Sequence, residues 1–185
     1  MDNLKTVYRG MRIKSSDGGV NSILQHGMEY YWKDSEHAVN DIFRALEKFH
    51  RIKKLGNTPI LRDHILEASR PNRLQIWGTN DKNNADSYAR NSPELIFLTL
   101  DDIGIPRKEN YKYLNERYGE PYIVTFTVDL SDRTFLGINE VYGRLVQPEN
   151  IQCIEKIDLT QPDPFFAKLQ GAKIIPIYQE IVKRN

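Results

Sequence analysis

The sequence predicts an α+β domain with a largely antiparallel sheet. Helical apolar spacing comes first in the chain, strand-like runs punctuated by turn residues come after it, and no internal repeat, low-complexity tract or linker divides the two. One domain over residues 1–185 is expected.

Leu4 to Arg9 reads as a short strand ended by Gly10, and the cluster Ser15-Ser16-Asp17-Gly18-Gly19 as a turn before a helix near Val20 to Gln25 that stops at Gly27. Asp34 or Ser35 caps the next helix, whose stripe is Val39, Ile42, Phe43, Leu46 and Phe49, with an end expected near Gly56. Pro59 opens a further helix with Leu61, Ile65 and Leu66 buried, broken at Pro71. Strands are expected at Leu74 to Trp77, Leu95 to Leu100, Tyr122 to Leu130, Thr134 to Ile138, Glu140 to Val146 and Ile151 to Ile157. Among these, Tyr122 to Leu130 alternates with period two and reads as a long half-buried strand. Short helices fall near Asn84 to Arg90 and Lys108 to Tyr118.

Composition excludes several classes. With 39% hydrophobic residues, ten Tyr and seven Phe, the chain can bury a core and is not of the disordered type. A single cysteine, Cys153, permits neither an internal disulfide nor a thiolate metal cluster; it lies in an apolar strand pattern and reads as a small core residue. No basic segment followed by an apolar run opens the chain and no stretch has membrane-spanning length, so a cytosolic location, or delivery into a cytosol by other means, is expected.

Net charge is only +1, but residues 44 to 73 carry eight Lys/Arg against three acids. The plainer reading is a solvated helix face; the alternative is a patch that steers RNA or DNA.

Familiar catalytic signatures are missing. There is no GxGxxG, GxxxxGK[ST], HExxH or GxSxG, and the four histidines lack metal-ligand spacing, so no metal is expected. Three separated features remain. Tyr8-Arg9-Gly10 ends the first strand and is followed by Ser22-Ile23-Leu24-Gln25-His26-Gly27. Trp77-Gly78-Thr79-Asn80-Asp81-Lys82 is followed by Ala85 and by Tyr88, eleven residues after Trp77. Asn139-Glu140-Val141 starts a strand, and Pro148-Glu149-Asn150-Ile151 leads into the next.

These residues, in this order, resemble the ADP-ribosyltransferase superfamily, most closely the diphtheria toxin branch. There a strand ending in His-Gly-Thr leads into a Ser-Ile-x-x-Gly helix, two tyrosines stand at the same eleven-residue interval, and a glutamate at a later strand start closes the NAD site. The resemblance covers most of the chain in three short islands and leaves 33 to 72 unassigned. Arg9 stands where that branch has His, as in the other large branch, whose Ser-Thr-Ser strand is not evident here. Ile138 occupies the place where arginine-modifying members carry Glu or Gln, which argues against arginine as acceptor.

The resemblance implies a fold of two abutting small sheets with outer helices and NAD, the substrate, in the cleft between them. It assigns catalysis to Glu140 and NAD binding to Tyr8, Arg9, Gly10, Trp77, Thr79 and Tyr88. Cleaving the nicotinamide–ribose bond builds positive charge on the sugar, which a carboxylate stabilises more as the transition state forms. Two aromatic rings can hold the flat pyridinium between them by cation–π attraction of about 0.5–2 kcal/mol each. The Arg9 fork suits a phosphate or ribose, while Tyr8 and Gly10 leave backbone groups beside the nicotinamide amide.

Singly, each residue has a plainer role: Glu140 as an exposed strand-edge carboxylate, Tyr88 packing on the sheet, Trp77 in the core, Arg9 on the surface. Glu149 competes for catalysis, although Pro148-Glu149 also reads as a turn, and Glu155 stands third. The expected activity is mono-ADP-ribosyl transfer to a protein or nucleic acid, as a toxin or effector. The alternatives are RNA 2′-phosphotransferase chemistry, which needs basic residues beyond Arg9, and a non-enzymatic interaction module. The acceptor, the oligomeric state and the existence of an inhibitory partner stay open.

Overall fold

The computed structural model describes residues 3–29, 35–49, 76–132, 140–143, 145–171 and 175–183. The helix expected from Pro59, the strand at Thr134 to Ile138 and most of the basic stretch, beyond Phe49, lie outside the described residues.

The strands are β1 (Leu4–Ile13), β2 (Met28–Glu29), β3 (Ile76–Thr79), β4 (Glu120–Asp129), β5 (Glu140–Gly143), β6 (Leu145–Val146), β7 (Ile151–Ile157) and β8 (Tyr178–Lys183). Between them run helices α1 (Gly19–His26), α2 (Ser35–Lys48), α3 (Lys82–Arg90), α4 (Glu94–Asp102), α5 (Arg107–Tyr118) and α6 (Pro164–Leu169). The expected α+β character holds: the main sheet has six strands in the order β5-β3-β1-β4-β7-β8, and β2 pairs with β6 in a separate ladder. Every paired neighbour is antiparallel.

β1 continues past Gly10, where the sequence suggested a stop, because the glycine serves a helix and not a turn. A Cβ at Gly10 would stand 1.8 Å from the Ala85 carbonyl oxygen and 2.6 Å from the Ala89 nitrogen. The backbone of α3 therefore lies directly on β1, a close approach that glycine in a strand interior permits. Asp81 caps the helix, its carboxylate accepting from the Asn83 N–H at 2.9 Å. Ala85, Ala89, Ile123 and Ile157 form the core beneath it, with Tyr8 and Tyr178 packed alongside.

The opposite face of the sheet carries a larger core in which Val7, Val124, Phe126 and Ile154 meet Ile23 of α1, Met28 and Val146. β4 is consequently buried on both faces, with Ile123 and Val124 fully enclosed, and not half-buried as the Thr125 and Thr127 alternation suggested. A third cluster joins α2, α4 and α5 through Ile42, Leu46, Ile96, Leu100, Tyr113 and Leu114.

Three further expectations change. Leu95 to Leu100 is helical within α4, since a short apolar run has no decisive period and this one packs between two helices. α2 ends at Lys48, well before Gly56, and Phe49 turns its ring edge-on to Tyr113 at 5.6 Å between centroids. Glu140 to Val146 divides between β5 and β6, which belong to different sheets.

Two buried arginines tie the layers together. Arg90 of α3 is ion-paired with Asp86 one turn earlier and donates to the Gln161 carbonyl at 2.8 Å. Arg12 of β1 donates to the Arg90 carbonyl at 2.7 Å and the Gly119 carbonyl at 2.9 Å, and also to the side-chain oxygen of Asn115. Those carbonyls end α3 and follow α5, where the helix dipole favours a cation.

Two outcomes follow. Gly10→Ala is expected to lower unfolding free energy by about 3 kcal/mol or more, because the clash is with helix backbone that cannot rotate away; urea denaturation measures it. Arg90→Met leaves Asp86 buried without its partner, at a cost of about 3–5 kcal/mol near neutral pH. Burial already pushes the Asp86 carboxyl upward against the pull of Arg90. Without that pull it moves further up, so the variant loses stability as pH rises past the unfolded-state carboxylate value and recovers part of it in acid, as melting curves across pH would show.

Candidate functional site

Register between strands builds the site. Tyr8 of β1 stands opposite Thr79 of β3, and Thr79 stands opposite Glu140 of β5. Directly opposed residues share a sheet face, so positions 8, 79 and 140 form one row across three adjacent strands. Trp77, two residues before Thr79, belongs to the same face. α3 covers that face and carries Tyr88 to Trp77, with ring centroids 4.2 Å apart and planes tilted by 48°. Residues remote in sequence and singled out for one site are thus neighbours.

The arrangement also corrects parts of the expectation. A flat ring held between two others needs about 7 Å, twice the contact distance of carbon atoms. Trp77 and Tyr88 touch each other, so they do not sandwich a pyridinium in this conformation. Thr79 is only 2% exposed, and its hydroxyl accepts from the Asp81 N–H at 3.1 Å, shaping the turn into α3. Through that turn it sets where α3 begins beside the row. Gly10 has its Cα face against Ala85 and Ala89, so its role is to seat the helix. Tyr8 packs on the same helix core.

Arg9, one residue out of phase with Tyr8, has its Cβ on the opposite face of β1. Its guanidinium nevertheless turns toward β3 and donates to the Trp77 carbonyl at 2.8 Å. It also lines a cavity of about 610 Å³ together with Arg12, Lys14 and Arg117. Three carboxylates, Asp17, Glu29 and Asp41, border the same space. Asp41 is engaged by Arg117 and by Arg44, each at 3.3 Å.

The sequence matches no protein-family model and no curated protein.

The competing carboxylates stand elsewhere. Glu149 lies in the short turn before β7, on the far side of β1 and β4 from β3. Glu155 on β7 is held by Lys82 at 2.5 Å, fastening the start of α3 to the sheet. Lys82 in turn sits over the Tyr178 ring, 4.4 Å from its centroid. Cys153 is half-buried on β7, with its thiol pushed up by burial. Among the described residues no set of three or more His, Cys, Asp and Glu gathers as for a metal, and no helix is long and apolar enough to cross a membrane.

Sequence reasoning missed Arg12, Lys14 and Arg117. Ending β1 at Gly10 left the first two between the strand and the turn at residues 15–19, assigned to no element, and Arg117 reaches the cavity through the docking of α5. Two-residue periodicity continued to Ile13 would have marked Arg12 as a cation inside a strand.

Replacing Tyr88 by Ala is expected to uncover the Trp77 indole. In a Trp32→Phe background, acrylamide quenching of Trp77 should then increase; unaltered quenching would show that Tyr88 does not shield it.

Proposed function

We propose that the chain is an NAD-dependent ADP-ribosyltransferase that cleaves the nicotinamide–ribose bond and passes ADP-ribose to a macromolecular acceptor. The observation that carries this reading is the cross-strand row Tyr8, Thr79 and Glu140 beside the Trp77–Tyr88 pair. It brings together residues that the superfamily resemblance singled out from distant parts of the chain. The ADP-ribosyltransferase fold itself is part of the proposal; what supports it is the antiparallel sheet with the first strand at its centre.

In this reading the glycosidic electron pair leaves with neutral nicotinamide, and positive charge develops on the ribose. The Glu140 carboxylate accepts hydrogen bonds from the ribose hydroxyls and faces that charge. An acceptor oxygen or nitrogen attacks the anomeric carbon and releases its proton to solvent or to a carboxylate. Water in place of the acceptor gives NAD hydrolysis. Binding nicotinamide against Trp77 requires Tyr88 to move, and Tyr88 is the more exposed of the two rings, at 37%.

The touching rings favour a second reading, an interaction module that keeps the framework without the chemistry. Nicotinamide release from labelled NAD separates the two. Under the enzyme reading the wild type releases it, and Glu140→Gln slows release by about 100-fold or more while NAD affinity changes little. Absence of release and of label transfer across protein and RNA acceptors would reject the enzyme.

A further inference from the structure

We propose that the 610 Å³ cavity is a binding site for the diphosphate of a sugar nucleotide, with Arg12 as its buried cationic anchor and Arg9 and Lys14 beside it. For the identity of the nucleotide this rests on the function proposed above; the binding of a diphosphate does not.

The cavity arises where two strands part. β1 and β3 pair at Tyr8 and Thr79 alone, although continued pairing would set Met11 opposite Ile76. Both of those residues line the cavity instead. The space is therefore a fork in the sheet, walled by strands and closed beyond by the ends of α3 and α5. Its volume lies within the roughly 300–1,000 Å³ usual for small-ligand sites.

Charge selects the ligand. Arg12 is only 9% exposed, and each acceptor it contacts is neutral: two carbonyls and an amide oxygen. Its Nε–H is buried with no acceptor. Helix-end carbonyls offset part of the charge but supply no counter-ion, and burial brings the guanidinium down to about 10. A buried cation is ordinarily paired; the hydrogen-bond partners of Arg12 are neutral, and the cavity it lines is the side from which an anion can approach its charge. Arg9 and Lys14 add positive charge on the same wall, whereas Asp41 already faces Arg117 and Arg44. Asp17 and Glu29 are exposed and are poor neighbours for bare phosphate, but their oxygens suit ribose hydroxyls. An anionic centre flanked by hydroxyl donors describes a sugar diphosphate better than inorganic phosphate.

Calorimetric titration tests this on the whole chain with pyrophosphate, ADP-ribose and ribose 5-phosphate. Pyrophosphate is expected to bind, ADP-ribose to bind more tightly, and Lys14→Ala and Arg12→Gln each to weaken both by about ten-fold or more, the worth of a charged hydrogen bond. Arg12→Gln keeps donors for the helix-end carbonyls while removing the charge; should it fail to fold, Lys14→Ala alone decides. No binding of pyrophosphate or ADP-ribose at millimolar concentration, or wild-type affinity in folded variants, overturns the assignment. Pyrophosphate binding without nicotinamide release would reject the enzyme and keep this site. Nicotinamide release with an unchanged NAD KM in both variants would do the reverse.

Discussion

The contact on which the rest depends is the bare approach of the α3 backbone to β1 at Gly10. With no side chain between them, the helix sits low enough for Ala85 and Ala89 to close the core over Ile123, and for Tyr88 to reach Trp77 on the neighbouring strand. Interiors this close-packed transmit any displacement of one element to its neighbours. The ring pair and the row of residues 8, 79 and 140 are therefore referred to one rigid unit of strand and helix.

Polar chemistry holds that unit at its far end. Arg12 and Arg90 join in series, the first donating to the carbonyl of the second, and the second reaching Asp86 and the chain just after β7. Buried charge of this sort adds little net stability relative to a well-packed apolar replacement. What it supplies here is position: β1, α3 and α5 are registered at the point where β1 leaves β3. The fork and the charge lining it thus share one origin.

Several elements were legible because their local signals agreed with their tertiary roles. Ile151–Ile157 appears as β7 with the expected ends, and the α1 stop at Gly27 coincides with a positive φ of 76°, which glycine adopts without steric cost. Where the two levels disagreed, the sequence misled. Leu95 to Leu100 carries strand-like residues, yet packing between α2 and α5 makes it a helix. Gly10 looks like punctuation, and only the presence of α3 reveals it as a seat.

The site was legible in part for the same reason. The eleven-residue spacing of Trp77 and Tyr88 follows from a strand, a capped turn and a helix, and does bring the rings together. The pairing of Glu140 with Thr79, and the burial of Thr79 itself, depend on strand register, which local pattern does not encode. The charged lining of the fork depends in part on how α2 and α5 dock, since they bring Asp41 and Arg117 to it, and its cations gave no motif.

The closed ring pair has a thermodynamic consequence. If the competent form is the one in which Tyr88 has swung off Trp77, every ligand of that face meets a protein of which only a fraction can accept it, and its measured affinity falls by that fraction. An acceptor or partner that held Tyr88 aside would raise affinity for the nucleotide without touching it, and the nucleotide would strengthen that partner's hold by the same factor.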